Sequence, residues 1–220
     1  VGLPLLFRSR HYVIVDKPAG LLSVGDARAG QPGVAEVLAQ EGLRGLAVHR
    51  LDRDVSGALL VALEEEAREA LQDLFRQRVV HKVYWALASG TGLPARGRWT
   101  DPILEERGTA RVSARGKPAR TIFRVLERHG ACTELEIDLE TGRKNQIRVH
   151  AAHAGAPLVG ERRYARGRDS ALRARRLALH AWRLSFRDPW SGEEVAVEAP
   201  LPADLSELRQ RAAGRSDGRT

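Results

Sequence analysis

The residues best suited to chemistry stand together at His49-Arg50-Leu51-Asp52-Arg53-Asp54-Val55-Ser56-Gly57, a charged stretch between two apolar runs, Leu46-Ala47-Val48 and Ala58-Leu59-Leu60-Val61-Ala62. Such runs read as buried strands. The charged residues between them have no spacing that suits an amphipathic helix, so the stretch reads as a loop at a sheet edge, where a cleft can form. An aspartate in that place can attack an electrophilic carbon or take a proton. The plainer alternative is a solvated turn in which Asp52 or Asp54 caps a local backbone donor. Paired-carboxylate sugar chemistry is disfavoured, because nothing fixes the separation of two carboxylates lying two residues apart in a loop. Metal hydrolysis is disfavoured too: the seven His and one Cys include neither His-Glu-x-x-His nor Cys-x-x-Cys.

Two other segments carry polar groups at regular spacing. In Val80-His81-Lys82-Val83-Tyr84-Trp85-Ala86-Leu87, alternation puts Lys82 and Tyr84 on one face of a strand. A lone tyrosine there reads as an aromatic at the edge of a core. In Thr141-Gly142-Arg143-Lys144-Asn145-Gln146-Ile147-Arg148-Val149-His150, Thr141 is expected to cap a helix running to about His153. At the helical period Arg143, Gln146, His150 and His153 share one face, and Ile147, Ala151 and Ala154 another.

As strings, these segments resemble the RluA-type pseudouridine synthases. The first matches the family's His-Arg-Leu-Asp-x-x-Thr-Ser-Gly signature, with Val55 in the Thr position. Lys17-Pro18-Ala19-Gly20-Leu21 resembles its Lys-Pro-Ala-Gly-Leu element, and Lys82-Val83-Tyr84-Trp85-Ala86 its Lys-x-Tyr-x-Ala segment. The segment from Gly142 to His150 resembles Gly-Arg-x-His-Gln-Ile-Arg-Val-His, with Asn145 replacing His. Pro157 to Gly160 and Leu179-His180-Ala181 continue the likeness, which runs from about Tyr12 to Leu208.

The resemblance implies an α+β fold: a mixed, largely antiparallel sheet with flanking helices. It implies isomerisation of specific uridines in ribosomal or transfer RNA to pseudouridine. Uracil is detached from ribose, turned and rejoined through carbon, with no redox change and no need for a cofactor or metal. It makes Asp52 the catalytic carboxylate, as nucleophile or as base, and Tyr84 the active-site tyrosine. Arg148 is the expected partner of Asp52, with Arg143 as the other candidate. Arg50, Arg143, Gln146 and Leu179 are expected to bind substrate, Leu179 by lining the base pocket. An inactive RNA-binding protein on the same fold is the alternative. Retention of Asp52, Tyr84 and Arg148 together argues against it, because binding alone needs none of the three.

The elements that must position these groups follow from periodicity and turn chemistry. His11 to Val15 reads as a strand ended by Asp16-Lys17-Pro18-Ala19-Gly20, and Val34 to Gln40 as a short helix. Glu64 to Arg78 is the clearest helix, with Ala67, Ala70, Leu71, Leu74 and Phe75 in one stripe. Val79 to Ser89 reads as a strand; Gly90 to Pro118 reads as irregular and basic, either a surface hairpin or an arm for RNA phosphates. Arg120 to Leu126 and Cys132 to Leu139 read as paired strands, the second half-exposed with its acidic side chains outward. Residues 162–176 form another basic loop. Leu177 to Phe186 and Glu194 to Glu198 read as strands, followed by a short helix. One domain over residues 1–212 is expected, with a disordered tail over 213–220.

Composition bounds the setting. Lys and Arg number 36 against 28 Asp and Glu, a net charge of +8, which favours a polyanionic partner or simply solubility. Aromatics are only 5%, so broad base-stacking surfaces are not obvious. No run is long and apolar enough to span a membrane, and no charged-apolar-small signal-peptide pattern stands at the start of the chain. With Cys132 as the single cysteine, no internal disulfide is possible. A cytoplasmic monomer is expected.

Overall fold

The computed structural model describes residues 2–106, 108–165 and 172–214. In chain order the first strands and helices are β1 (Leu5–Arg8), β2 (Tyr12–Lys17), α1 (Val34–Gln40), β3 (Leu46–Ala47), β4 (Ser56–Ala62), α2 (Glu65–Gln77), β5 (His81–Ser89) and β6 (Arg96–Trp99). The rest are β7 (Ile103–Glu106), β8 (Thr109–Val112), β9 (Thr121–His129), β10 (Cys132–Leu139), α3 (Gln146–His153), β11 (Leu179–Arg187), β12 (Glu194–Glu198) and α4 (Ala203–Gly214). The expected domain contains two compact units: unit 1 is Val1–Lys82 with His180–Pro200, and unit 2 is Val83–Leu179 with Leu201–Thr220.

In unit 1, β2 lies antiparallel to β1 on one side and to β4 on the other. β4 also takes β3 antiparallel and the start of β11 in parallel, while β12 pairs antiparallel with β11. Every residue of β4 is buried, as its unbroken Ala58-Leu59-Leu60-Val61-Ala62 run requires of a strand covered on both faces. Tyr12, Ile14 and Leu60 pack with Leu71 of α2 and Phe186 of β11 in one core. Helix α2 carries Glu65 and Glu66 in its first turn and Arg76 in its last, matching the helix dipole. It stops where Arg78 turns left-handed, at φ 61°, and its N–H closes on Leu74 and Phe75 carbonyls.

Unit 2 is antiparallel: β10 lies between β5 and β9, and β6 pairs with the far side of β9. β7 and β8 form a separate hairpin. Ile103, Ala110 and Ala119 pack against Val149 of α3 in a small core that includes Tyr164 at its margin.

Four expectations need correction. The stretch 90–118 is not irregular throughout: it holds β6, β7 and β8, each four residues long and too short to register as alternation among Gly, Pro and Arg. The helix expected from Thr141 begins at Gln146, because Asn145 takes a left-handed conformation at φ 52°. The Thr141 hydroxyl instead accepts the Arg120 N–H and donates to Gln146 Oε1. β10 is not half-exposed as expected, since Glu134 is buried and its Oε1 accepts the Trp85 Nε1–H at 2.6 Å. Helix α4 continues to Gly214, into the expected tail. Residues 215–220 of that tail, and 166–171 of the basic loop, lie outside the described residues.

Candidate active site

The Asp52 loop joins β3 to β4 in unit 1, and its backbone is tied at Leu51, Asp52, Arg53 and Val55. On the upstream leg, His49 Nε2 accepts the Leu60 N–H at 3.0 Å, and the imidazole stacks on Phe75 of α2 at 4.5 Å. Burial, followed by the neighbouring Lys82 ammonium, holds His49 well below its usual pKa, so it accepts this bond as a neutral ring. Leu51 is bracketed by Ser23, whose hydroxyl accepts the Leu51 N–H at 2.9 Å and donates to the Leu51 carbonyl at 2.8 Å. The Arg53 carbonyl accepts the Gly20 N–H at 2.8 Å and a longer bond from Lys17 Nζ at 3.4 Å. Lys17 is fully buried, and its ammonium also donates to the carbonyls of Pro18 and Leu21. The Pro18 to Leu21 turn is therefore wrapped around a buried cation and fastened to the residue after Asp52.

Asp52 is half-buried, while Arg50, Arg53 and Asp54 are exposed. The Val55 N–H closes a tight turn on the Asp52 carbonyl at 3.0 Å. Beside the loop lies an open cleft of about 400 Å³, lined by residues 22–28, Arg50, Leu51 and Arg53. Three arginines, Arg28, Arg50 and Arg53, face it against one acid, Asp26, whose Oδ1 accepts the N–H groups of Arg28 and Ala29. That charge balance suits a phosphodiester backbone.

In unit 2, Tyr84 is half-buried on β5, opposite Ile137 of β10. Arg148 lies on α3 with its side chain 13% exposed, against a Glu161 side chain that is wholly buried. Arg148 Nε donates to Glu161 Oε2 at 2.7 Å and Nη2 to Oε1 at 2.9 Å, a forked pair. Burial would raise the Glu161 pKa. The bonds and charge of Arg148, with the N–H groups of Arg163 and Tyr164, outweigh it and hold the carboxyl below its usual range. Asn145, which with Val55 departs from the resembled motifs, donates from Nδ2 to the Tyr164 hydroxyl and accepts Arg148 Nη1 at 3.2 Å. Asparagine tolerates the left-handed backbone found there, and its amide helps aim Arg148.

The remaining expected site residues are placed as follows. Arg143 is half-buried, and its Nε donates to the Pro118 carbonyl at 3.1 Å. Gln146 is buried; its oxygen accepts the Thr141 hydroxyl and the Arg143 N–H, and its nitrogen donates to Arg120 O and Thr121 Oγ1. All four of its bonding positions are thus engaged within unit 2, as a strut under the Arg143 turn. Leu179 is buried at the start of β11. Lys17, Ser23 and Glu161 had no role assigned from sequence; the one signal was a lysine closing β2 after Asp16, and it needs the fold to be read. Among the described residues one group, Glu127, His129 and Glu134, could hold a metal ion, but His129 Nε2 and Glu134 Oε2 already bond each other at 3.1 Å.

Residues 11–153 match the sequence profile of the RNA pseudouridylate synthases. The chain belongs to that family. The family match spans the Asp52 loop, the Tyr84 strand and the Arg148 helix, and stops short of Leu179-His180-Ala181. Among curated relatives, Ribosomal large subunit pseudouridine synthase D of Nitrosomonas europaea is 40% identical over 96% of this chain, which spans 65% of the relative's length. The protein of the same name from Xanthomonas campestris is 38% identical over 94% of this chain and 69% of its own. Human RNA Pseudouridylate Synthase Domain Containing 4 shares the fold, with a TM-score of 0.77 over 94% of this chain and 92% of that one at 24% identity. The synthase family thus accounts for the mixed, largely antiparallel α+β architecture. Among the described residues no helix is long and apolar enough to cross a membrane.

Proposed function

We propose that this chain isomerises uridine to pseudouridine in RNA, with Asp52 as the reacting carboxylate. The observation that carries the reading is the nine-residue Asp52 loop, inside the family match and tied by its backbone on both sides of Asp52. In the reaction the bond from ribose C1′ to uracil N1 breaks and a bond from C1′ to C5 forms. The C5 proton is released and N1 regains one, so the product is an isomer and no co-reactant is consumed. Tyr84 lies against the uracil ring and relays the C5 proton; Arg148 is the cationic partner of the Asp52 carboxylate. Arg28, Arg50 and Arg53 take the flanking phosphates. The target base must leave its stack, at a cost of roughly a few kcal/mol, which loops and single-stranded ends of RNA reduce. Relatives named for the large ribosomal subunit make that subunit's RNA the first substrate to test, with transfer RNA second. The protein acts as a monomer in the cytoplasm on this reading.

The test is tritium release from RNA labelled at uridine C5. Wild type should release tritium and Asp52→Asn, which keeps the shape and removes the charge, should not, while both bind the RNA. Release by Asp52→Asn near the wild-type rate would overturn the assignment. Binding with no release by wild type on either RNA would select an inactive RNA-binding protein instead.

A further inference from the structure

We infer that Ser56 and His180 are positioning residues for Asp52, forming a buried hydroxyl–imidazole chain that clamps the downstream leg of its loop. The inference rests on Asp52 being the reacting carboxylate. His180 is fully buried and Ser56 is 3% exposed. His180 Nε2 lies 3.2 Å from the Ala199 carbonyl. A carbonyl only accepts, so Nε2 carries the proton of the neutral ring, and Nδ1 is left as the acceptor. Ser56 Oγ lies 2.8 Å from Nδ1 and donates to it. The chain Ser56 to His180 to Ala199 therefore has one direction and joins three segments of unit 1: the start of β4, the start of β11 and the residue after β12.

The backbone around this chain leaves no slack. β4 and β11 run parallel over two residue pairs only, His180 with Ser56 and Ala181 with Gly57. Gly57 has φ 116°, and a Cβ there would sit 2.2 Å from the Ala181 carbonyl oxygen. Both the approach and the dihedral demand glycine. From Ser56 the chain reaches Asp52 through one turn, closed by the Val55 N–H on the Asp52 carbonyl, with the Val55 side chain 2% exposed beneath it. A shift at Ser56 is carried to Asp52 through this turn. Ties from Ser23, Lys17 and Gly20 reach the loop at Leu51 and Arg53, on the upstream side of this leg.

A serine hydroxyl on an imidazole is also the arrangement of an activated nucleophile. Burial rules that out here, since no substrate carbon can reach Ser56 Oγ. Neither residue touches the reacting atoms; they act through the place they give Asp52. Reactions of this kind are sensitive to placement, and an error of about 1 Å can cost about 100-fold in rate.

The test uses the full chain and the tritium-release assay. Ser56→Ala should lower kcat by about 10- to 100-fold, with KM and RNA affinity within about twofold of wild type, when rates are normalised to folded protein. His180→Leu should do the same, and the double variant should be little worse than either single, because both remove one link. His180→Asn, whose amide oxygen falls near the position of Nδ1 and can accept the Ser56 hydroxyl, should recover much of the kcat lost in His180→Leu. Should His180→Leu fail to fold, Ser56→Thr against Ser56→Ala decides: the variant that keeps the hydroxyl must keep the higher kcat. A folded Ser56→Ala at wild-type kcat, or singles whose losses multiply in the double, overturns the inference. Asp52→Asn is run alongside. If it is active, the reading of Asp52 fails; if it is dead while Ser56→Ala is fully active, only the positioning role fails.

Discussion

Arg148 holds the buried carboxylate of Glu161 with two bonds, Nε to Oε2 at 2.7 Å and Nη2 to Oε1 at 2.9 Å. Removing one member of a buried pair strands the other, at a cost of about 3–5 kcal/mol. Glu161→Ala and Arg148→Ala should therefore both unfold at markedly lower denaturant than wild type. Glu161→Gln should lose less. Because the Glu161 pKa is depressed by folding, its contribution is present above the ordinary carboxylate value of about 4.3 and is lost as pH falls through the folded value. The stability gap between wild type and Glu161→Gln, measured by urea unfolding across pH, should be full at neutral pH and close toward acid. A gap that widens toward acid would contradict the pairing.

Tyr84 can be split into ring and hydroxyl. If the hydroxyl relays the C5 proton, Tyr84→Phe should slow tritium release by about 100-fold and leave RNA affinity unchanged. Tyr84→Leu should lose the ring contact as well and fall further. Full activity in both variants would remove Tyr84 from the mechanism.

His49 should leave a signature at mildly acid pH. It is held neutral in the fold, whereas an unfolded histidine gains a proton below about pH 6.5. Below that pH the unfolded chain binds the extra proton, so stability falls as pH drops. His49→Gln, which can still meet the Leu60 N–H with its amide oxygen, should be less steep than wild type between about pH 6.5 and 5. Equal slopes would show that His49 titrates alike in both states.

RNA affinity should fall steeply with salt, since each phosphate neutralised by Arg or Lys releases counterions. Replacing Arg28 by Gln should weaken binding to all RNAs alike and lower the slope of log K against log salt by about one. Arg143→Ala should raise KM with little change in kcat. A salt-independent affinity would mean that the arginine-lined cleft does not carry the backbone.

Much of this architecture could be read from the chain. β4 is an unbroken apolar run, α2 repeats its apolar stripe over three turns, and α1 and β12 have the bounds expected of them. β6 to β8 escaped because four residues give alternation too little length to show. The start of α3 escaped because threonine is a good cap in general, while here its hydroxyl is taken by Gln146 and by the N–H of Arg120, 21 positions away, which only the fold brings near. Motif residues around Asp52 could be read as a string, but not what each one does. Lys17, Ser23 and His180 act on the loop through contacts up to 124 residues distant, and no local pattern encodes a partner so far along the chain.

That last separation has a consequence during synthesis. The Asp52 loop is complete in the nascent chain once β4 has been made, but its downstream clamp waits for His180, and unit 1 closes only when residues 180–200 emerge. Until then β4 lacks its parallel neighbour, and a long loop must close before that pairing forms, a slow step in folding. A nascent chain stopped anywhere before β11 thus holds the Asp52 loop without the Ser56–His180 bond that fastens its downstream leg in the folded protein.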